Sequence, residues 1–339
     1  MKHFELSMKQ VKKCLALTLA AVTVTGAVLT GCGTKAEEVV IYTNADDEAI
    51  EAMKKTLDAN GYEGQYLVQS FGTSELGGKL LAEGTDIEAD MVTMSSFYLD
   101  SAQEENQMFQ TLEFEAETLT EYPDFYSPIT AQEGAIIVNT EMMEENNLPM
   151  PTCLKDLTDP VYSGFISVTD IQSSSTAWLL VQALVDAYGE EEAAEVLAGI
   201  YKNAGPHVES SGSAPLKKVR AGEVAIGFGL RHQAVADKAD GLPIDYVDPT
   251  EGNFSLTESV AVIDKGDENN ALAMEMAECI IKKGREELQK TYPLAIYEGE
   301  TNNSENMSAY PKTFGETLTV DLLEQHQQLS ENAKELANQ

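Results

Sequence analysis

The chain of 339 residues carries 22 Lys and Arg against 57 Asp and Glu, a formal net charge of -35 at pH 7. A chain this acidic does not bind nucleic acid or an anionic membrane surface through charge. Its length suits about two domains, and a hydrophobic content of 43% is ample for packed cores.

Residues 1–31 predict a secretory signal. A basic segment with four lysines precedes an uncharged apolar run from Leu15 to Thr30. That run is shorter than the ~20 residues of a spanning helix, so it predicts a cleaved signal rather than a membrane span. Without these residues the formal net charge is 18 minus 56, or -38.

The end of this signal resembles the lipobox of bacterial lipoproteins, in which an aliphatic residue and two small residues precede a cysteine. Here the segment is Leu29-Thr30-Gly31-Cys32. The resemblance implies cleavage after Gly31, lipidation of Cys32 and a tether over residues 32–37. Acyl chains anchor stably because each buried methylene contributes ~0.8 kcal/mol. The alternative is an ordinary secretory signal with an incidental cysteine.

From residue 38 onward, strands alternate with helices, which is typical of an α/β fold with parallel strands. The first half predicts strands at 39–42, 65–68 and 89–92 and helices at 46–59 and 73–81. Small hydroxyl or amide side chains follow all three strands, and they are Thr43 and Asn44, Thr73 and Ser74, and Ser95. Plain helix capping is the alternative, but three such ends together favour a binding edge.

A second strand–helix series predicts strands at 164–168 and 224–228 and helices at 176–188, 190–201 and 214–221. Ser174, Ser175 and Thr176 open one of these helices, and Ser211, Gly212 and Ser213 open another. Ser213 can cap its helix. A helix N-terminus carries roughly half a positive charge and several free N–H groups, so it suits an anion. The alternative is a solvated loop at each place.

Arg231 and His232 appear where the buried strand 224–228 ends. We expect the Arg231 guanidinium to lie in an open, wet cleft near the two serine-rich loops, where its planar fork matches phosphate, phosphonate or carboxylate. His232 is either a second donor or a residue at a helix start.

Two long extended segments, Gln132–Asn139 and Ser255–Ile263, predict adjacent hinge strands between two lobes. Lobe I then covers residues 38–133 plus 257–339, and lobe II covers residues 134–256. Helices at 271–283 and 320–337 close the chain.

Four motifs in this order resemble the extracytoplasmic solute-binding proteins of ABC importers, in the subgroup of ferric-iron, thiamine, 2-aminoethylphosphonate and sugar-phosphate binders. They are Ile41-Tyr42-Thr43, Gly72-Thr73-Ser74-Glu75-Leu76, Ser174-Ser175-Thr176-Ala177 and Gly222-Glu223-Val224-Ala225-Ile226-Gly227. The resemblance implies an α/β, two-lobed type II periplasmic-binding-protein fold with two hinge strands. It also implies a lipid-anchored, extracytoplasmic monomer that captures a small solute in the cleft, needs no cofactor, and delivers the solute to a permease and ATPase.

The family's ferric-iron members place two consecutive tyrosines after the strand that matches 224–228. This chain has Leu230-Arg231-His232-Gln233 there, and a guanidinium repels a trivalent cation. The sequence therefore favours an organophosphonate or phosphate-ester ligand. A ferric-iron binder, or a binder of a cation such as thiamine or a polyamine, is the alternative. For a cation, Glu75 and Glu258 are the first candidate partners.

A secreted enzyme and a lipid-anchored chemoreceptor on the same fold are the alternative classes. The chain has no Gly-x-Ser-x-Gly elbow, and its cysteines and histidines lack metal-ligand spacing. Serine-rich loops without a placed base favour binding, so the sequence predicts no catalytic or metal site.

We expect Cys32→Ala to abolish lipidation and to move the protein out of the membrane fraction. Fractionation of cells that carry either form, followed by immunoblotting, measures this. Unchanged membrane retention of the variant would contradict the lipoprotein prediction.

Overall fold

The computed structural model describes residues 38–266, 268–302 and 306–339. The predictions for the signal, for Cys32 and for the tether at 32–37 lie outside the described residues.

The described residues form ten strands and nine α-helices in an α/β arrangement. The strands are β1 Val39–Thr43, β2 Tyr66–Ser70, β3 Met91–Ser95, β4 Tyr126–Asn139, β5 Ile166–Thr169, β6 Val208–Glu209, β7 Ile226–Leu230, β8 Ile244–Val247, β9 Asn253–Val262 and β10 Pro311–Lys312. The helices are α1 Asp47–Ala59, α2 Thr73–Glu83, α3 Ser96–Asn106, α4 Thr140–Glu145, α5 Thr176–Ala204, α6 Ala214–Ala221, α7 Arg231–Ala239, α8 Glu268–Leu288 and α9 Val320–Ala337.

The strands form two groups that are linked through β4 and β9. The first group is parallel, in the order β2-β1-β3, and β9 pairs antiparallel with β3. The second group contains β5, β6, β7 and β8; β5 is parallel to β6 and β7, while β7 and β8 pair antiparallel with the second half of β4. Among the described strands, none of the first group therefore pairs directly with one of the second group.

The long strand β4 changes partners between Glu133 and Gly134. Its first part, from Tyr126 to Glu133, pairs antiparallel with β9. Its second part, from Gly134 to Val138, pairs with β7. The two extended segments are thus neighbours, as the sequence predicts, but their pairing begins earlier than residue 132. The lobe boundaries themselves stay a prediction.

Some helix boundaries follow from local chemistry. Asp46 caps α1 by accepting from the Ala49 N–H at 3.1 Å, and Gly222 ends α6 with a left-handed φ of 68°. α5 is one element, but Gly189 has φ 73° in its middle, so the two helices predicted at 176–188 and 190–201 meet there. α3, α4, α7 and β8 follow from no pattern that we identified in the sequence.

The C-terminal helix α9 packs against α5. The buried Trp178 indole N–H donates to His326 Nδ1 at 2.7 Å, and the hydroxyls of Tyr201 and Ser330 lie 2.7 Å apart. This helix, which the sequence groups with lobe I, therefore contacts a helix of the predicted lobe II. Among the described helices, none is long and apolar enough to cross a membrane.

Gly134 lies where β4 changes partners, and it has no room for a side chain. An added Cβ would lie 2.5 Å from Phe228 Cζ and 3.0 Å from Leu179 Cβ. We expect Gly134→Ala to lower the free energy of unfolding by ~1–3 kcal/mol, the usual cost of overpacking.

The matched control is Gly78→Ala, because Gly78 lies within α2 and an added Cβ meets nothing within 4 Å. This change should raise the free energy of unfolding by ~0.5–1 kcal/mol through helix propensity. Urea denaturation measures both variants, and equal effects would contradict the packing argument.

Candidate ligand-binding site

A cavity of about 390 Å³ brings together residues that are distant in the sequence. Its lining comes mainly from the ends of strands and the starts of helices in both strand groups. The lining residues are Asn44, Ala45, Asp46, Asp47, Glu48, Ser70, Phe71, Gly72, Thr73, Gln132, Ser173, Ser174, Ser175, Thr176, Ser210, Ser211, Gly212, Ser213, Leu216, Lys217, Arg220, Leu230, Gln233 and Glu258.

Three helices, α2, α5 and α6, begin at this cavity after a serine or a glycine without a side-chain cap, and α7, which follows the lining residue Leu230, has none either. The residues that precede α2, α5 and α6 are Gly72, Ser175 and Ser213, and all three line the cavity. None of them accepts a capping hydrogen bond through its side chain. Ser213 is therefore not the cap that the sequence suggests.

Because a helix dipole places partial positive charge at the N-terminus, the positive ends of these helices meet in one space. Several of their first N–H groups already have acceptors in the same loops, such as that of Ala177 on Ser174 O at 3.2 Å and that of Ala214 on Ser211 O at 3.1 Å.

The two serine-rich loops add hydroxyls and further free donors. The Ser211 and Ser213 hydroxyls lie 3.3 Å apart, and the Thr176 N–H approaches Ser174 Oγ at 3.4 Å. The backbone N–H groups of Ser175, Gly212 and Ser213 have no acceptor among the described residues. These groups can donate to a ligand without breaking an internal bond.

Gly212 holds the two loops close together. A Cβ at this position would meet Thr176 Oγ1 and would lie 2.8 Å from Ser174 Oγ. The absence of a side chain at residue 212 therefore lets one serine-rich loop pack directly on the other.

Both signs of charge face the cavity. The lining carboxylates are those of Asp46, Asp47, Glu48 and Glu258, and the lining cations are Lys217 and Arg220. Arg220 is engaged, because its Nη2 donates to Asp237 Oδ1 at 2.8 Å. The exposed Lys217 has no ion-pair partner among the described residues.

Glu258 is held by Ser95 at the end of β3 and by Asn44 just after β1. The Ser95 hydroxyl donates to its Oε1 at 2.7 Å. The Asn44 amide, oriented to satisfy both of its ends, donates to Glu258 Oε2 at 2.9 Å and accepts from Thr73 Oγ1 at 3.1 Å. The carboxylate therefore has a fixed position and still has lone pairs to offer.

Burial disfavours the charged form of the two innermost acids. Burial raises the pKa of Glu258 to about 7, although the hydrogen bonds from Ser95 and Asn44 oppose the shift and the nearby Asp46 adds to it. Burial also raises the pKa of Asp46, against the hydrogen bond that the Tyr292 hydroxyl donates to it. Among the described residues, neither carboxylate has a basic partner that would reverse the shift.

Eight of the predicted site residues line the cavity. They are Asn44, Thr73, Ser174, Ser175, Thr176, Ser211, Gly212 and Ser213. Thr43 and Ser95 lie behind it, buried, where Thr43 accepts from the Thr93 hydroxyl at 2.6 Å and Ser95 holds Glu258. Ser74 follows Thr73 on α2, but it is not among the lining residues.

The expectation that Arg231 lies in an open cleft is wrong. Its side chain is buried, with 4% of the residue exposed, and it donates from Nε to Asp248 Oδ1 at 2.7 Å. Nη2 donates to Met307 O at 3.2 Å, and the guanidinium lies 4.6 Å from the Tyr246 ring centroid. The reason is helical phase: α7 begins at Arg231, so Gln233 rather than Arg231 reaches the cavity.

His232 is also buried rather than in the cleft, and it occupies the second position of α7. Its ring centroid lies 4.7 Å from that of Tyr292, and its Nε2 has no hydrogen-bond partner among the described residues. Burial lowers the pKa of His232 to about 3, so the ring stays neutral. This placement agrees with the helix-start alternative and not with a second ligand donor.

Sequence reasoning missed several lining residues. Asp46 is recognisable only as a helix cap, and Gln132 only as part of a hinge segment. Predicting that Lys217 and Gln233 reach the cavity requires the helical phases of α6 and α7, which local sequence patterns do not determine. The sequence indicates Glu258 only as a candidate partner for a cation.

The chain belongs to a known family. Residues 88–320 match the family of bacterial extracellular solute-binding proteins. This match confirms the family resemblance drawn from the four sequence motifs. A curated relative, an uncharacterized protein of Haemophilus influenzae, is 32% identical over 152 residues, which is 44% of this chain and 43% of the relative. The chain thus matches less than half the length of that relative.

Solved structures confirm the type II periplasmic-binding-protein fold. AfuA from Actinobacillus pleuropneumoniae, with fructose-6-phosphate bound, has a TM-score of 0.69 at 21% identity over 89% of this chain and 97% of AfuA. A periplasmic thiamin binding protein has a TM-score of 0.72 at 15% identity, over 89% of this chain and 96% of that protein. Iron-bound HitA from Pseudomonas aeruginosa has a TM-score of 0.67 at 19% identity, over 88% of this chain and 99% of HitA. At these identities the likeness shows the fold and not the ligand.

The raised pKa of Glu258 predicts a pH-dependent stability. A carboxyl that binds its proton more tightly in the folded state stabilises that state below its unfolded pKa, and this contribution is lost as the pH rises toward 7. Glu258→Gln imitates the neutral form, so the variant should gain free energy of unfolding relative to the parent between pH 5 and pH 8.

Urea denaturation at both pH values measures that gain. The control is Glu51→Gln, which removes an exposed carboxylate from α1 away from the cavity. A Glu258→Gln difference that stays the same at both pH values would show that this carboxyl titrates normally.

Proposed function

We propose that this member of the bacterial extracellular solute-binding family is the substrate-binding lipoprotein of an ABC importer. It captures a small organophosphonate or phosphate ester in the cavity and delivers it to a membrane permease and ATPase. The observation that carries the ligand class is the convergence of three uncapped helix N-termini on one cavity.

Those helix ends suit a tetrahedral anion. Each carries roughly half a positive charge from the helix dipole. The free donors of Ser175, Gly212 and Ser213 and the surrounding hydroxyls can surround several oxygens at once. Lys217 adds one full charge from α6. The anion is thus bound chiefly by main-chain groups rather than by Arg231.

The overall negative charge does not prevent this binding. At physiological ionic strength, exposed charges more than ~8 Å away are largely screened. A hydrogen bond to a charged group contributes ~1.5–3 kcal/mol, so several such bonds outweigh the diffuse field. The field slows association of an anion but contributes little to the bound state.

The cavity offers little to ferric iron. Its lining includes carboxylates, hydroxyls and amides but neither a tyrosine nor a histidine. Among the described residues, no group of three or more His, Cys, Asp or Glu side chains is placed to hold a metal ion. A cation such as thiamine or a polyamine is the second candidate, because Glu258 and Asp46 face the cavity without a basic partner.

The proposed mechanism is capture between two lobes. Residues 38–133 with 257–339 form lobe I, residues 134–256 form lobe II, and β4 and β9 act as the hinge. Because both lobes contribute lining residues, a bound ligand favours the closed arrangement. The protein acts as a monomer on the cell surface or in the periplasm, held by the lipid on Cys32. It catalyses no reaction.

The ligand class is tested by calorimetry of the purified protein. The panel contains 2-aminoethylphosphonate, fructose-6-phosphate, ferric citrate, thiamine and a polyamine. At least one phosphonate or phosphate ester should bind, and Gly212→Ala should weaken that binding about tenfold or more, because the added methyl separates the two loops.

The control is Gly315→Ala, since a Cβ at this exposed glycine meets nothing within 4 Å. Its affinity should equal that of the parent. Tight binding of iron or of a cation alone, with affinity that Gly212→Ala leaves unchanged, would overturn the proposal.

A further inference from the structure

A ring contact behind the cavity joins elements of the two strand groups. His232 belongs to α7, which packs against β4 and β8. Tyr292 follows α8 and shares an apolar cluster with Ile41 of β1 and Leu57 of α1. The two ring centroids lie 4.7 Å apart, with 53° between the ring planes. The contact therefore connects a residue of predicted lobe II with a residue of predicted lobe I.

Both partners of this contact adjoin residues that line the cavity. Gln233, which follows His232 on α7, is one of the lining residues. The Tyr292 hydroxyl donates to Asp46 Oδ1, and Asp46 lines the cavity as well. A displacement of one lobe that changes the cavity therefore also changes the ring contact.

The two predicted lobes also approach each other at the cavity lining. Gly72 of lobe I and Ser173 of lobe II both line the cavity, and a Cβ added at Gly72 would lie 3.9 Å from Ser173 O. In the proposed capture mechanism, this arrangement is the closed one.

The buried position of His232 is unfavourable for an imidazole. The residue is 9% exposed, and its Nε2 has no hydrogen-bond partner among the described residues. A buried polar group without a partner destabilises the arrangement that buries it. A protonated ring is worse accommodated, since burial lowers the pKa of His232 to about 3.

The charged groups on the elements around His232 have partners of their own. On the α7 side the pairs are Arg231 with Asp248, Asp237 with Arg220, Lys238 with Asp245 of β8, and Glu133 of β4 with Ser308. On the Tyr292 side they are Asp46 with Tyr292, Arg285 with Glu300, and Lys290 with Glu287, while Asp47 and Glu48 are exposed. Among the described residues, no carboxylate bonds to the His232 ring, so a proton there has no counter-charge.

We infer that the contact between His232 and Tyr292 forms when the lobes close and that only a neutral His232 ring permits it, so a fall in pH opens the cavity and releases the ligand. This inference rests on the proposed function, because it assumes capture between two lobes. His232 does not line the cavity, so it is a positioning residue that acts through closure.

The sign of the effect follows from the two environments of the ring. In the open arrangement water reaches Nε2, and the ring has an ordinary pKa of ~6.5. A ring that binds its proton more tightly in the open arrangement favours that arrangement as the pH falls. At pH 5.5 the open form then holds about ten protonated rings for each neutral one, so closure is about tenfold less favourable than at pH 7.5.

The first test is an NMR titration of the histidine side chains. His232→Phe assigns the His232 signal, and the signals of His207 and His326 serve as references. In the ligand-free protein the His232 ring should titrate near its ordinary pKa of ~6.5. With saturating fructose-6-phosphate or 2-aminoethylphosphonate, whichever binds, it should stay neutral down to pH 5. A ring that fails to titrate above pH 5 without ligand would overturn the inference.

The second test is calorimetry of the same compound on the parent and on His232→Phe. Phenylalanine keeps a ring against Tyr292 and removes the unpartnered nitrogen, so the variant should bind about fivefold more tightly at pH 7.5. Between pH 7.5 and pH 5.5 the parent should lose about tenfold more affinity than the variant. Because both proteins meet the same compound, the protonation of the compound itself cancels.

The control is His207→Gln, which removes a histidine that contacts Lys218 rather than Tyr292. It should keep the pH profile of the parent. Identical pH profiles for the parent and His232→Phe would refute the closure contact and leave the ligand class intact. Failure of every compound in the panel to bind would refute the ligand class, and the ligand-free titration then decides on His232. That titration uses the parent protein, so it stands even if His232→Phe folds poorly.

Discussion

The antiparallel pairing of β4 with β9 is the constraint on which the cavity depends. It links the two strand groups, and its register sets Glu258 opposite Thr130 on one side and Ser95 on the other. Gln132, two residues further along β4, lines the same cavity. The strands that link the two strand groups thus also supply part of the cavity lining, so a movement of one group relative to the other about β4 and β9 would also move lining residues.

A second constraint is the uneven use of helix caps. α1, α4 and α9 have side-chain caps from Asp46, Asn139 and Thr319. α2, α5 and α6 have none, although serine or threonine lies beside each N-terminus. A cap contributes ~0.5–2 kcal/mol. The chain forgoes that stability at α2, α5 and α6, as it also does at α3 and α7. Beside the cavity, the N–H groups of Ser175, Gly212 and Ser213 have no acceptor among the described residues.

Much of this arrangement follows from the sequence because parallel strands bring their carboxyl ends to one edge. The small polar residues after β1 and before α2, α5 and α6 reach the cavity for that reason. The prediction for Arg231 is wrong because the direction of its side chain depends on where α7 begins. The sequence of α7 has neither a cap nor an apolar stripe that marks this start. Asp46 and Glu258 face the cavity through tertiary pairing with Tyr292, Asn44 and Ser95, which no local pattern encodes.

The position of Arg231 explains why we assign recognition of the proposed anion to main-chain donors. Its guanidinium pairs with Asp248, and Asp248 also accepts from the Asn253 amide at 2.9 Å. Asn253 donates in turn to Gly134 O at 2.9 Å, at the point where β4 changes partners. This buried network ties the start of α7 to the link between the strand groups. Because its charge is balanced there, Arg231 cannot serve the ligand without leaving the mostly buried Asp248 without its counter-ion, a cost of several kcal/mol. Helix N-termini offer positive potential without such a counter-ion, so they can recognise an anion inside an otherwise acidic protein.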